Sequence, residues 1–295
     1  MNKFIAAVAV MAVTAVAQAG TITGAGATFP APVYAKWAEA YKAQTGTQLN
    51  YQAIGSGGGI KQIDNKTVDF GATDDPRKAE ELAAQKQVQF ATVKGGVVAV
   101  VNLDGVSKNS LNLSAQQMAD IFQGKYKTWK EVDAKLPATP ITRVVRADSS
   151  GTTAVFTDYL ASKSADFKNK IGAGKSVKWG EEQVAAGKGN AGVAAMVKQI
   201  KGSIGYVEYA FAKQGDLVTT KLNGVEGGLE NFANGKYELT APTYIIFYQS
   251  GANQEAVKFW EWALANGDKI AQDLDYVPLS RAEKAASQKI LNSLK

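Results

Sequence analysis

The sequence predicts an α/β fold, on three observations. Short apolar runs alternate with segments whose apolar residues recur at helical spacing. Three of the strand-to-helix junctions carry glycine and hydroxyl residues in the same place. A composition of 45% hydrophobic and 20% charged residues over 295 positions is that of an ordinary globular protein, long enough for two modest domains or one large one.

The first junction lies in TITGAGATFPAPVYAKWAEAYKAQTG. Val33, Tyr34, Trp37 and Tyr41 recur on one helical face, Gly46 supplies a stop, and Pro30 and Pro32 fall where a first turn tolerates proline. Thr28 and Phe29 therefore stand at a helix entrance. In TQLNYQAIGSGGGIKQIDNKT a strand through Leu49, Tyr51 and Ala53 runs into Gly55-Ser56-Gly57-Gly58-Gly59, and a short helix carrying Ile60 and Ile63 follows. A strand from Val68 to Ala72 ends at Thr73-Asp74-Asp75, and Pro76 opens a helix. In VVRADSSGTTAVF a strand over 141–146 leads through Ser149 to Thr153 into a helix with Val155, Phe156, Tyr159 and Leu160 on one face.

Each entrance offers free backbone N–H groups at the positive end of a helix dipole, and glycine admits a close approach to them. Three such entrances converging would bind an anion; each singly is also satisfied by ordinary capping in a flexible loop. Arg146 and Asp148 lie two residues apart on an extended segment and so face one side. They form either a local salt bridge or an arginine held by an aspartate while its other N–H groups grip an oxyanion. Asp74 and Asp75 fit a helix N-cap as readily as a ligand contact.

The chain has no histidine and no cysteine, which rules out a Ser-His-Asp triad, a cysteine nucleophile and imidazole-ligated zinc or iron. That shifts the reading from catalysis toward binding. MNKFIAAVAVMAVTAVAQA reads as a secretory signal, with Lys3 as the basic region, an apolar run from Phe4 to Val16 and cleavage after Ala19. Removing Lys3 from the 33 basic residues leaves 32 against 27 acidic ones, an excess that favours anionic ligands; the basic residues are scattered singly with no basic stripe, which on an exported chain argues against nucleic acid. GAGATF departs from a dinucleotide fingerprint at Phe29, and NKIGAGKS departs from a phosphate-binding P-loop at Asn169.

Together TGAGATFPAPVYAKWAEAYKAQTG, YQAIGSGGGIKQIDNKTVDFGATDDP, VVRADSSGTTAVFTDYL, KGNAGVAAMV and GSIGYVEYA resemble the periplasmic phosphate-binding proteins of ABC phosphate importers, in matching order through nearly the whole mature chain. The resemblance implies a two-lobed periplasmic-binding-protein fold of type II, two α/β lobes on a two-strand hinge that closes over one phosphate. It implies a first lobe from residues 20–97 and 243–295 and a second from residues 98–242, with crossings near Gly96 to Leu103 and Pro242 to Tyr248. Carried over by position, the phosphate ligands are Thr28, the Phe29 N–H, Ser56, Asp74, Arg146, Ser150, Gly151 and Thr152, with Asp148 orienting Arg146.

The resemblance further implies a monomeric, non-enzymatic periplasmic receptor with no cofactor or metal, whose partners are inorganic phosphate and an inner-membrane ABC permease. Three positions depart from the family pattern. Gly57 stands where relatives often have serine, Ser149 where they often have glycine, and Asp75 where a small residue is common, adding negative charge near the site. Asp74 is the expected discriminator. A buried carboxylate accepts the O–H of protonated phosphate but meets sulfate lone pair against lone pair. The alternatives are a receptor for sulfate or molybdate, or a secreted phosphatase.

Overall fold

A computed structural model describes residues 20–295, so the expected signal segment lies outside the described residues. The chain runs through β1 (Thr21–Gly26), α1 (Ala31–Thr45), β2 (Gln48–Ala53), α2 (Ser56–Asp64), β3 (Phe70–Thr73) and α3 (Ala79–Gln85) into the long strand β4 (Gln87–Val101). There follow β5 (Asn112–Leu113), α4 (Ala115–Phe122), α5 (Trp129–Val132), β6 (Thr142–Arg146), α6 (Gly151–Lys163), α7 (Ala165–Lys170), β7 (Val184–Gly187), α8 (Gly189–Gln199) and β8 (Ser203–Glu208). Then come α9 (Tyr209–Gln214), β9 (Val218–Thr219), β10 (Lys221–Leu222), α10 (Leu229–Ala233) and β11 (Thr240–Tyr248). The order ends with α11 (Gln254–Asn266), α12 (Asp268–Asp273), β12 (Val277–Pro278) and α13 (Arg281–Asn292).

The main sheet has the order β2-β1-β3-β11-β4-β8-β6-β7. Its two ends are parallel: β1 pairs with β2 and β3, and β6 with β7 and β8. Between them β4 changes partner. Residues 87–96 pair antiparallel with β11, whereas Val97 to Val101 pair antiparallel with β8. The return lies beside this exchange, where the Val97 N–H donates to the Leu239 carbonyl at 2.8 Å. One continuous strand thus carries the chain from one parallel half to the other.

Each half has its own aromatic cluster within one continuous hydrophobic core. Tyr34, Trp37, Phe70 and Trp260 pack together on one side, and Phe122, Phe156, Trp179 and Tyr206 on the other. The periodicity of α1 is borne out: Val33, Tyr34, Trp37 and Tyr41 are its buried residues, and Gly46 ends it in the left-handed conformation.

Two local expectations shift. The helix after Pro76 begins only at Ala79, with Lys78 as its N-cap, so neither Asp74 nor Asp75 caps it. The helix after Gly55 begins at Ser56, so Gly57, Gly58 and Gly59 are its first turn and not a loop. Gly55 itself has φ 95°, a region costly for any residue with a Cβ. The glycines inside the turn serve close packing: a Cβ on Gly59 would lie 2.3 Å from the Gly26 Cα.

Candidate functional site

Parallel strands of both halves end at one cleft, as ligand sites of open α/β sheets do. Thr28 follows β1, Ser56 opens α2, and Asp74 follows β3. From the facing half, Arg146 ends β6, Asp148 to Ser150 form the loop, and Gly151 and Thr152 open α6. The faces touch directly. The Gly57 N–H donates to the Ser149 carbonyl at 3.0 Å. A Cβ on Gly151 would lie 2.3 Å from Ser56 Oγ and 2.7 Å from Asp74 Oδ2, so only glycine brings the start of α6 this close.

Arg146 and Asp148 form the pair that their spacing allows. Its Nε donates to Asp148 Oδ1 at 2.8 Å and its Nη2 to Asp148 Oδ2 at 2.5 Å, a two-point clamp. Asp148 Oδ1 also accepts the Gly189 N–H at 2.9 Å. Burial alone would raise the Asp148 carboxyl, but the Arg146 hydrogen bonds and charge hold it below its ordinary value. Arg146 Nη1 is buried without a partner among the described residues. The clamp therefore fixes the guanidinium and leaves one donor pointing elsewhere.

Asp74 is the complement. Its Oδ1 accepts from Thr243 Oγ1 at 2.8 Å, while its Oδ2 is buried with no partner among the described residues. Burial pushes its pKa up to about 7; Thr243, Arg146 and Ser56 oppose the rise and Asp75 adds to it. An orphaned acceptor and an orphaned cationic donor share one cleft, where unpaired buried groups are costly.

The four hydroxyls are oriented by what they accept. Ser56 Oγ accepts the Asp74 N–H at 3.2 Å, and Ser150 Oγ accepts the Thr153 N–H at 3.0 Å as the N-cap of α6. Thr28 Oγ1 accepts both the Asn190 N–H, at 3.2 Å, and Asn190 Nδ2, at 2.8 Å. Thr152 Oγ1 accepts Asn190 Nδ2 at 3.1 Å. A hydroxyl has one proton and two lone pairs, so a lone pair spent within the protein leaves the proton to be given. The first-turn N–H groups of Gly151 and Thr152 add further donors. Among these described residues, the hydroxyls, the N–H groups and Arg146 are donors, and Asp74 Oδ2 is the unpartnered acceptor that faces them.

Phe29 is buried and contributes from behind. Its carbonyl lies 2.7 Å from the Tyr276 hydroxyl, which is also 2.8 Å from Glu208 Oε2. One phenolic proton cannot serve both acceptors. Burial raises the Glu208 carboxyl well above its ordinary value, while the bonds from Tyr276 and the Ala210 N–H to its Oε2 oppose the rise.

The departures compensate one another. A Cβ on Gly57 would lie 2.2 Å from Ser149 Oγ, so the Ser149 side chain occupies the space a residue-57 side chain would take. Asp75 is paired with Lys175 of the facing half at 2.5 Å. Sequence reasoning assigned no role to Asn190 and Thr243. Asn190 had a signal, since KGNAGV is a fourth glycine-marked helix entrance; Thr243, inside an ordinary strand, had none.

Two α/β halves facing each other over such a shell define a two-lobed binding protein, and the PBP superfamily domain matches residues 12–266. The chain belongs to the family of PstS phosphate-binding proteins. It is 45% identical to the PstS of Pasteurella multocida, over 89% of this chain and 87% of that protein. It is 44% identical to the PstS of Haemophilus influenzae, over 89% and 90% of the two chains. The fold is similar to that of a phosphate-binding protein from Stenotrophomonas maltophilia, with TM-score 0.73, 21% identity and coverage of 92% and 94%. A phosphate transport receptor from Vibrio cholerae aligns with TM-score 0.62 and 21% identity, over 87% and 99%.

Proposed function

We propose that this chain is a periplasmic receptor that binds inorganic phosphate and delivers it to an ABC-type import complex in the inner membrane. The observation that carries this reading is Asp74 Oδ2, a buried acceptor with no partner among the described residues, set among many donors. Phosphate near neutral pH keeps at least one O–H to give to Asp74, and its remaining oxygens take bonds from the donors. Thr28, the Phe29 N–H, Ser56, Arg146, Ser150, Gly151 and Thr152 are the donors in this reading, and Asp148 holds Arg146. The family of the chain supports it.

Sulfate and molybdate fit less well, because neither brings a proton to Asp74 at neutral pH. A phosphatase fits poorly too. The hydroxyls of Thr28, Ser56, Ser150 and Thr152 accept bonds from N–H groups, and none is bonded to a carboxylate that could activate it.

The exchange of partners along β4 supports a hinge with lobes formed by residues 20–97 plus 243–295 and by residues 98–242. No helix among the described residues is long and apolar enough to cross a membrane. We infer export by the N-terminal signal, cleavage after Ala19, and function as a monomer.

Calorimetric titration of the phosphate-stripped protein at about pH 8.5, where Asp74 with its pKa of about 7 is ionised and phosphate still carries one proton, tests the function. Tight phosphate binding with no sulfate heat is the expected result. Equal binding of both discards the role of Asp74, and binding of neither discards the receptor.

A further inference from the structure

We propose that Asn190 is a positioning residue that orients Thr28 and Thr152 as donors to the ligand and couples the orientation of Thr28 to lobe closure. The inference rests on the phosphate reading and concerns how the site is set.

Asn190 is fully buried as the second residue of α8. Both protons of its amide are spent, one on Thr28 Oγ1 at 2.8 Å and one on Thr152 Oγ1 at 3.1 Å. Its Oδ1 accepts the Glu208 N–H at 2.8 Å. That bond fixes the amide orientation, because a flipped amide would set an NH2 against an N–H.

Thr28 and Thr152 belong to opposite faces of the cleft. With the Asn190 backbone N–H as well, Thr28 Oγ1 receives two donors and has both lone pairs occupied. Its proton is then available only outward. These bonds cross from one lobe to the other, so they exist only while the faces are together. Closure and the orientation of Thr28 are one event, whereas the Asn190–Thr152 bond lies within one lobe. The neighbouring Gly189 N–H holds Asp148, so the start of α8 sets the Arg146 clamp and both hydroxyls together.

A residue that acts through two hydroxyls shows a specific non-additivity. Phosphate dissociation constants are measured for Asn190→Ala in the wild-type background and in a Thr28→Val/Thr152→Val background. The expected result is a loss of about 30-fold in the first and less than about 3-fold in the second, the hydroxyls to be oriented being gone. Asn190→Ser, which keeps one donor, falls between wild type and Asn190→Ala, and carries the same cycle if the alanine variant does not fold. Equal losses in both backgrounds overturn the inference and leave Asn190 a packing residue. Wild-type protein that takes no phosphate overturns the phosphate reading and this inference together; wild-type binding without coupling overturns this inference alone.

Discussion

The face of the cleft built from the two ends of the chain holds Thr28, Ser56, Asp74 and Thr243, whereas the face built from its middle holds Arg146, Asp148, Ser150, Thr152 and Asn190. The first supplies the unpartnered Asp74 Oδ2, the second the cation and the start of α6. In the proposed reading, an anion is drawn mainly by the middle face and examined for a proton by the other. The two faces meet at the acceptor, where Gly151 of the second lies against the buried Asp74 carboxyl of the first.

Breaking the cationic face has the largest expected effect. Arg146→Met removes the charged donor and strands Asp148, whose side chain is only 11% exposed. Phosphate affinity should fall about 10³-fold, the scale of losing one partner of a desolvated, hydrogen-bonded charge pair; calorimetry giving less than a tenfold loss would place the anion elsewhere. Breaking the other face changes selectivity more than strength. Asp74→Asn converts an acceptor into a group that can also donate, and sulfate competition should rise by at least about 10²-fold.

Asp74 also gives that face a pH signature in the ligand-free protein. Its folded pKa of about 7 lies above the ordinary value of an aspartate, so the folded state binds the extra proton. Its contribution is fully present below the unfolded pKa and is lost as pH rises through about 7. Unfolding free energy of wild type relative to Asp74→Asn should fall between about pH 4 and pH 7, by a few kcal/mol at most. Chemical denaturation across that range gives the slope, and a rising difference would contradict the burial of this carboxyl.

The contact between the faces can be sharpened by exchange. Gly57→Ser should clash with Ser149 and cost about tenfold in phosphate affinity, while Gly57→Ser with Ser149→Gly should recover to within about threefold. Failure of the double variant to recover would show that the positions do not share one space. The smallest effect belongs to Lys175→Ala. Its pair with Asp75 leaves the side chains 32% and 37% exposed, so about a two- to threefold loss is expected, shrinking with added salt.

Several parts of this were legible in advance. Helical spacing found α1 to its buried residues, and the strand over 141–146 followed by a hydroxyl-rich helix entrance matches β6 and α6. Arg146 and Asp148 were placed on one side by strand alternation, a rule of local geometry. The aspartates at 74–75 could not be read this way, since a cap and a ligand contact look alike until the start of the helix is known. Asn190 and Thr243 escaped because their partners, Thr28 and Asp74, lie 162 and 169 residues away.

The sequence by itself determined the α/β alternation, the glycine and hydroxyl entrances, the exclusion of histidine and cysteine chemistry, and the family. These depend on residue type and on spacings shorter than a few turns. Tertiary structure alone decided that the entrances face one another, that Asp74 Oδ2 is the free acceptor, and that Gly57 and Ser149 fit one space. Those are properties of burial and of pairing across the cleft. Solvent exclusion there depends on both halves at once, and no local stretch of chain encodes it.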